Sequence, residues 1–161
     1  MTLKAAVFGS TGLIGKALVE ELKSHPEFTK IFCYARRPPM FLEEKTEFKP
    51  FKTDNFRMPE DADIVFCALG TTIKKAGSQE EFREVDLHAV DRLAQKTKTK
   101  GIKHLVVVSS VGANPNSKNF YLRTKGEMEE KVKNAGIEHT VILRPSLLLG
   151  KRNEKRVGEA I

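Results

Sequence analysis

Short runs rich in β-branched and aromatic residues alternate along this chain with longer stretches whose apolar positions recur every three to four residues. The short runs predict six strands, over Leu3–Phe8, Lys30–Ala35, Glu47–Phe51, Asp63–Cys67, His104–Ser109 and Thr140–Leu143. The longer periodicity predicts helices over Gly12–Ser24, Gln79–Lys98 and Lys118–Asn134. In the second helix Phe82, Val85, Ala89, Val90, Leu93 and Ala94 form the stripe expected to be buried, and Ser78 with Glu81 makes a capping box. Gly101 and Gly136 stand where helix ends turn back toward a strand. Val106-Val107-Val108 is apolar without alternation, as for a strand covered on both faces. Strands alternating with helices predict an α/β fold built on a parallel sheet. Between the second and third strands, Arg36 to Thr46 carries Pro38 and Pro39 and no helical stripe, so a loop is expected there. Within it, Met40-Phe41-Leu42 is an apolar cluster that either packs on the sheet edge or meets a partner.

Composition narrows the class. A chain of 161 residues, 40% apolar and 30% charged, fits one globular domain spanning residues 1–161. No apolar run approaches the length of about 18 residues that a membrane-spanning helix needs. The first strand begins at once, leaving no room for a leader, and Cys33 and Cys67 lie in apolar strands as free thiols. Both features point to the cytoplasm. Neither the cysteines nor His25, His88, His104 and His139 have metal-ligand spacing, so no metal site is expected. The net charge of +7 is spread over separate lysine clusters without interleaved aromatics. Solvated faces are the first reading, an anionic cofactor or substrate field the second, and nucleic acid the third. The pattern over Glu154 to Ile161 is helical but uncapped, so residues 150–161 read as the start of a substrate region that a fuller form would carry further.

The candidate chemistry begins at Gly9-Ser10-Thr11-Gly12-Leu13-Ile14-Gly15, directly after the apolar strand Leu3–Phe8 and directly before a helix. A glycine turn in that position lets backbone approach a diphosphate and aims the free N–H groups of a helix start at it. The alternative is a strand-to-helix turn that needs glycine only for space. Further on, Tyr121 and Lys125 are spaced i, i+4 and share one helix face. An ammonium beside a phenol favours the phenolate, the pairing that acid/base catalysis by tyrosine uses. Ser109-Ser110 ends the fifth strand, at the carboxyl edge where open α/β sheets bind ligands, and a hydroxyl there can donate to a substrate carbonyl.

Taken together these pieces resemble the short-chain dehydrogenase/reductases of the extended or atypical kind. The matching segments are Val7–Gly15, Cys67–Thr72, Val106–Gly112, Tyr121–Lys125 and Leu143-Arg144-Pro145, in the family's order. Leu69-Gly70-Thr71-Thr72, Lys125-Gly126-Glu127 and Arg144–Leu149 are closest to its Tat-interacting-protein-like branch. The resemblance implies a three-layer Rossmann fold, a doubly wound parallel sheet of order 3-2-1-4-5-6 with helices on both faces and a short or missing C-terminal substrate region. It also implies that residues Gly9 to Gly15 line a diphosphate. Tyr121 would be the proton donor or acceptor. Lys125 would support it and hold the nicotinamide ribose, and Ser110 would orient the substrate. Leu69, Gly70 and Thr71 would border the adenosine ribose and diphosphate. Ser109, Pro145, Ser146 and Leu147 would lie toward the nicotinamide, and Asp54 would contact adenine unless it only caps a turn. The family often has an asparagine in the helix before the fifth strand, and the matching residue here is Asp86.

Cofactor choice has its own signal. Arg36 lies 21 residues past Gly15, where an acidic residue would favour NAD(H), and Arg37 follows it. A guanidinium there suits a 2′-phosphate, which favours NADP(H) over NAD(H), although two loop arginines can also be merely solvated. The expected function is an NADP(H)-dependent oxidoreductase acting on a small carbonyl or alcohol. A non-catalytic NADP(H)-binding sensor with a protein partner and a nucleotide-sugar epimerase or dehydratase are the alternatives. A basic nucleic-acid adaptor is the last, and no nucleic-acid partner is expected. The chain is expected as a monomer or homodimer.

Overall fold

The computed structural model describes residues 1–40 and 42–146. The calls on Phe41, on Leu147 and on residues 150–161 lie outside the described residues. Six strands, β1 (Leu3–Phe8), β2 (Phe28–Ala35), β3 (Thr46–Pro50), β4 (Ile64–Cys67), β5 (His104–Val108) and β6 (His139–Leu143), form one sheet of order β3-β2-β1-β4-β5-β6. Every pairing in it is parallel. This is the Rossmann order, and it places the chain-reversal point between β1 and β4, above which such sheets bind ligands.

The period-2 pattern sorts the side chains onto two faces. Ala6, Phe8, Phe32, Tyr34, Val65, Cys67, Leu105 and Val107 enter the larger core. Ala5, Val7, Ile31 and Cys33 enter a smaller one under α1 (Leu13–Ser24), which contributes Val19 and Leu22. The larger core is closed by α4 (Val90–Thr99) and α5 (Phe120–Asn134). The valine run of β5 is covered more on one side than the other. Val107 is fully buried, whereas Val106 and Val108 are half-buried, because α1 packs on β1 and β2 rather than on β5.

Two local features differ from the sequence reading. The single helix expected over Gln79–Lys98 is three joined pieces: α3 (Gln79–Arg83), a π-helical turn (Glu84–Ala89) and α4. The wider turn leaves Val85 half-buried and puts Asp86 and Leu87 inside, so the predicted stripe holds at Phe82, Ala89, Val90, Leu93 and Ala94 but not at Val85. A short helix, α2 (Ile73–Ala76), was not expected. The Thr72 hydroxyl accepts from the Lys75 N–H at its start, and Gly77 closes it at φ 96°. The Ser78 hydroxyl accepts from the Glu81 N–H at 3.1 Å, and Gly101 and Gly136 end their helices at φ 74° and 73°. Among the described residues of the segment between β2 and β3 there is no helix, and Met40 in it is fully exposed.

Candidate functional site

The glycine turn is fastened to the end of β2. The Tyr34 carbonyl accepts from the Gly9 N–H at 3.2 Å, the Ser10 N–H at 3.2 Å and the Ser10 hydroxyl at 3.1 Å. Tyr34 itself is fixed by stacking on Phe8, ring centroids 4.0 Å apart, and by donating its hydroxyl to the Arg57 carbonyl at 2.6 Å. Gly9 has φ +81°, and a Cβ on it would stand 2.6 Å from the Ala68 carbonyl oxygen. A Cβ on Gly15 would stand 2.0 Å from the Gly9 carbonyl oxygen, whereas at Gly12 the nearest atom is at 3.5 Å. Ser10 and Gly15 are therefore packed into the fold, while Thr11 and Gly12 are exposed and Leu13 and Ile14 half-exposed.

The start of α1 is open. Gly12 is its N-cap, no side chain caps it, and its first turn has no acidic residue. The N–H groups of a helix's first turn have no partner within the helix, and the dipole there favours an anion. A tight glycine cradle ending in uncapped amides fits the diphosphate of a nicotinamide dinucleotide.

Helix α5 carries the second half of the site. Asn119 caps it, accepting from the Leu122 N–H at 3.0 Å, and the loop before it packs so closely that a Cβ on Gly126 would lie 2.2 Å from Pro115 N. Tyr121, Lys125 and Glu129 follow at i, i+4 and i+8 on one face. Tyr121 is half-buried and packs on Phe82, centroids 5.6 Å apart, with the Lys125 Nζ 5.8 Å from its ring. Lys125 is buried, its Nζ 2.8 Å from Asp86 Oδ1. Burial works to discharge it, but Asp86 and Tyr121 outweigh burial and hold its pKa above the ordinary lysine value. Glu129 is buried and takes a two-pronged bond from Arg144, Nε to Oε1 at 2.9 Å and Nη2 to Oε2 at 2.5 Å. Burial works to raise its carboxyl, yet Arg144 and the neighbouring Ser109 hydroxyl hold it below the usual range.

The two halves meet through the loop after β4. Ala68 lies against Gly9, and a Cβ at Gly70 would be 3.5 Å from Asp86 Oδ1 and 4.0 Å from Lys125 Nζ. The Thr71 N–H donates to Asp86 Oδ2 at 3.0 Å. Leu69 is buried, Gly70 exposed and Thr71 half-exposed. Of the strand-end serines, Ser109 turns inward beside Glu129, while the half-exposed Ser110 donates to the Val111 carbonyl at 3.3 Å. Pro145 is tied back to that loop, its carbonyl accepting from the Val111 N–H at 3.2 Å, and Ser146 is exposed. Arg36 and Arg37 are exposed just past the end of β2. Asp54 sits at the exposed tip of the turn bridged by Lys52 and Asn55, and its charge bears on Arg92, which donates to the Thr53 carbonyl at 2.9 Å.

Sequence reasoning missed the parts that hold these groups. Glu129 was legible as the next i+4 position after Lys125, but its partner Arg144 lies 15 residues on and only the fold joins them. The steric need for Gly126 was not legible locally, because the backbone that excludes a side chain there belongs to Asn114 and Pro115 in the preceding loop.

The family described as NAD(P)H-binding matches residues 9–160. The mitochondrial protein FMP52 of Candida albicans is 38% identical over 156 residues, covering 92% of this chain and 68% of that protein. Among solved structures, the oxidoreductase ylbE from Lactococcus lactis superposes with a TM-score of 0.73 at 20% identity, covering 93% of this chain and 72% of that one. MoeE5 in complex with UDP-glucuronic acid and NAD gives 0.73 at 21% identity, covering 88% and 54%. At such identities these two show the fold. The cytoplasmic assignment is overturned, since the FMP52 relatives, including those of Lodderomyces elongisporus and Saccharomyces cerevisiae, are named as mitochondrial proteins. Buried thiols report their local surroundings and carry no address. Among the described residues no helix is long and apolar enough to cross a membrane. The family model matches most of the chain, and the chain belongs to the NAD(P)H-binding family, with a sheet in the Rossmann order.

Proposed function

We propose that this chain is an NADP(H)-dependent oxidoreductase acting on a small carbonyl or alcohol. The observation that carries the reading is the Ala68–Thr71 loop, which touches the glycine turn on one side and the Lys125–Asp86 pair on the other, making one continuous site. Thr11, Gly12, Leu13 and Ile14 would hold the diphosphate with backbone amides, and Ser10 and Gly15 would shape the turn behind them. Arg36 and Arg37 would take the 2′-phosphate as charge-assisted, planar donors. Leu69, Gly70 and Thr71 would border the adenosine ribose, with Asp54 toward adenine and Pro145 and Ser146 toward the nicotinamide. When bound, the nicotinamide supplies the hydride donor or acceptor. Tyr121 passes a proton at its hydroxyl, Lys125 holds the ribose, and Ser110 donates to the substrate oxygen.

Fluorescence titration tests the cofactor half: NADPH should bind more tightly than NADH, and replacing Arg36 and Arg37 by Ala should remove the difference. Equal affinities in the unaltered protein would refute the arginine argument. For the chemical half, Tyr121→Phe should keep NADPH binding and lower carbonyl-dependent NADPH oxidation by about 10²–10⁴-fold. A second reading, a cofactor sensor without chemistry, draws on the engagement of Lys125 by Asp86. NADPH binding with no turnover across a carbonyl panel would favour it, whereas turnover unchanged by Tyr121→Phe would remove Tyr121 from the catalytic assignment.

A further inference from the structure

Asp86 is a fully buried carboxylate on the π-helical turn, and its partners include two from different parts of the site. Its Oδ1 lies 2.8 Å from the Lys125 Nζ, and its Oδ2 accepts from the Thr71 N–H at 3.0 Å. The Lys125 side chain is only 6% exposed. The groups that face the ammonium are Asp86 from the π-helical turn, Tyr121 from its own helix and Cys67 from the end of β4. The Cys67 thiol is pushed up to about 11 by burial and is neutral near pH 7. Asp86 thus supplies the negative charge. A buried ion that loses its partner is strongly disfavoured, so such a pair is kept together or discharged.

We propose that Asp86 is a positioning residue, which keeps the Lys125 ammonium charged and in place and ties it, through Thr71, to the loop at the adenosine side of the site. The inference rests on the reading of Lys125 as a ribose contact. The π-helical turn is what makes it work, because the extra residue in that turn carries Asp86 inward while Val85 stays half-buried.

The test is Asp86→Asn, read first without cofactor by following the Lys125 side-chain resonance against pH in protein with isotope-labelled lysine. In the unaltered protein Lys125 should stay charged up to the ordinary lysine pKa of about 10.4 and beyond. In D86N the largest influence opposing burial is gone, and the titration should fall below that value. Asp86→Glu should restore the charge. Read second with NADPH, the affinity of D86N should weaken by about tenfold or more as Lys125 discharges, the equivalent of one hydrogen bond to a charged group. The unaltered protein should show no such dependence over the same range. Identical Lys125 titrations in D86N and the unaltered protein would overturn the proposal. If D86N does not fold, thermal unfolding of Lys125→Met and of the D86N/K125M double variant decides. The double variant should be the more stable, since K125M alone strands a buried carboxylate, and a double variant no more stable than K125M would overturn the pair. Failure of the unaltered protein to bind NADPH would sink the proposed function and leave the cofactor-free titration standing.

Discussion

Gly15 and Gly12 separate two duties within one turn. A methyl group at Gly15 would collide with backbone at 2.0 Å, and no flexible side chain is there to give way. Gly15→Ala should therefore destabilise the protein by at least about 1–3 kcal/mol, the usual cost of overpacking, as measured by urea unfolding. Gly12 has an ordinary φ of −72°, and its nearest neighbour would be at 3.5 Å. Gly12→Ala should cost no more than about 1 kcal/mol, the order of a helix-cap change, yet crowd a diphosphate and weaken NADPH binding. A Gly12→Ala protein that binds NADPH as before would remove this residue from the site. Both glycines were legible in the sequence as a motif, but their different roles were not, because the atoms they approach belong to the turn's own closed shape.

The α5 helix makes ion pairs through Lys125 to Asp86, Glu127 to Arg83 and Glu129 to Arg144, and the last of these sets a pH response. Glu129 has a depressed pKa in the folded protein, so its contribution is present above its unfolded pKa of about 4.3 and is lost as pH falls through the folded value. At neutral pH Glu129→Gln should be less stable than the unaltered protein, and the gap should close in that acid range when both are unfolded by urea. A gap that stays constant with pH would show that Arg144 does not hold this carboxylate. The elements themselves were legible wherever one period dominated: β1 and α5 lie close to their expected limits, and Gly101 and Gly136 end helices as read. The π-helical turn was not. Val85 and Asp86 also suit an α-helix in local pattern, and the partner of the buried carboxylate, Lys125, lies on another helix far along the chain.

The molecule as a whole uses its basic residues largely for itself. Lys96 donates to the Phe56 carbonyl, Lys98 to that of Gly136 and Lys45 to that of Lys23, while Lys100 and Lys103 meet Glu60 and Glu138. Solvated faces are the first reading of the charge, and these lysines are instead engaged by carbonyls and carboxylates of the chain, while Arg36 and Arg37 are exposed. Saturating NADPH, at about one hundred times its dissociation constant, should stabilise the fold by about 2.7 kcal/mol. For a chain of this size that raises the melting temperature by about 5–11 °C, with NADH giving less at the same concentration. The same melt at either cofactor would contradict a built 2′-phosphate site. The Tyr34 carbonyl, with three donors already gathered on it, has a last consequence for how that ligand arrives. The amides of Gly9 and Ser10 should exchange with deuterium slowly even in cofactor-free solution, and only those of Thr11, Leu13 and Ile14 should gain protection on binding. The cofactor would then dock onto a ready-made surface, at little cost in ordering the chain.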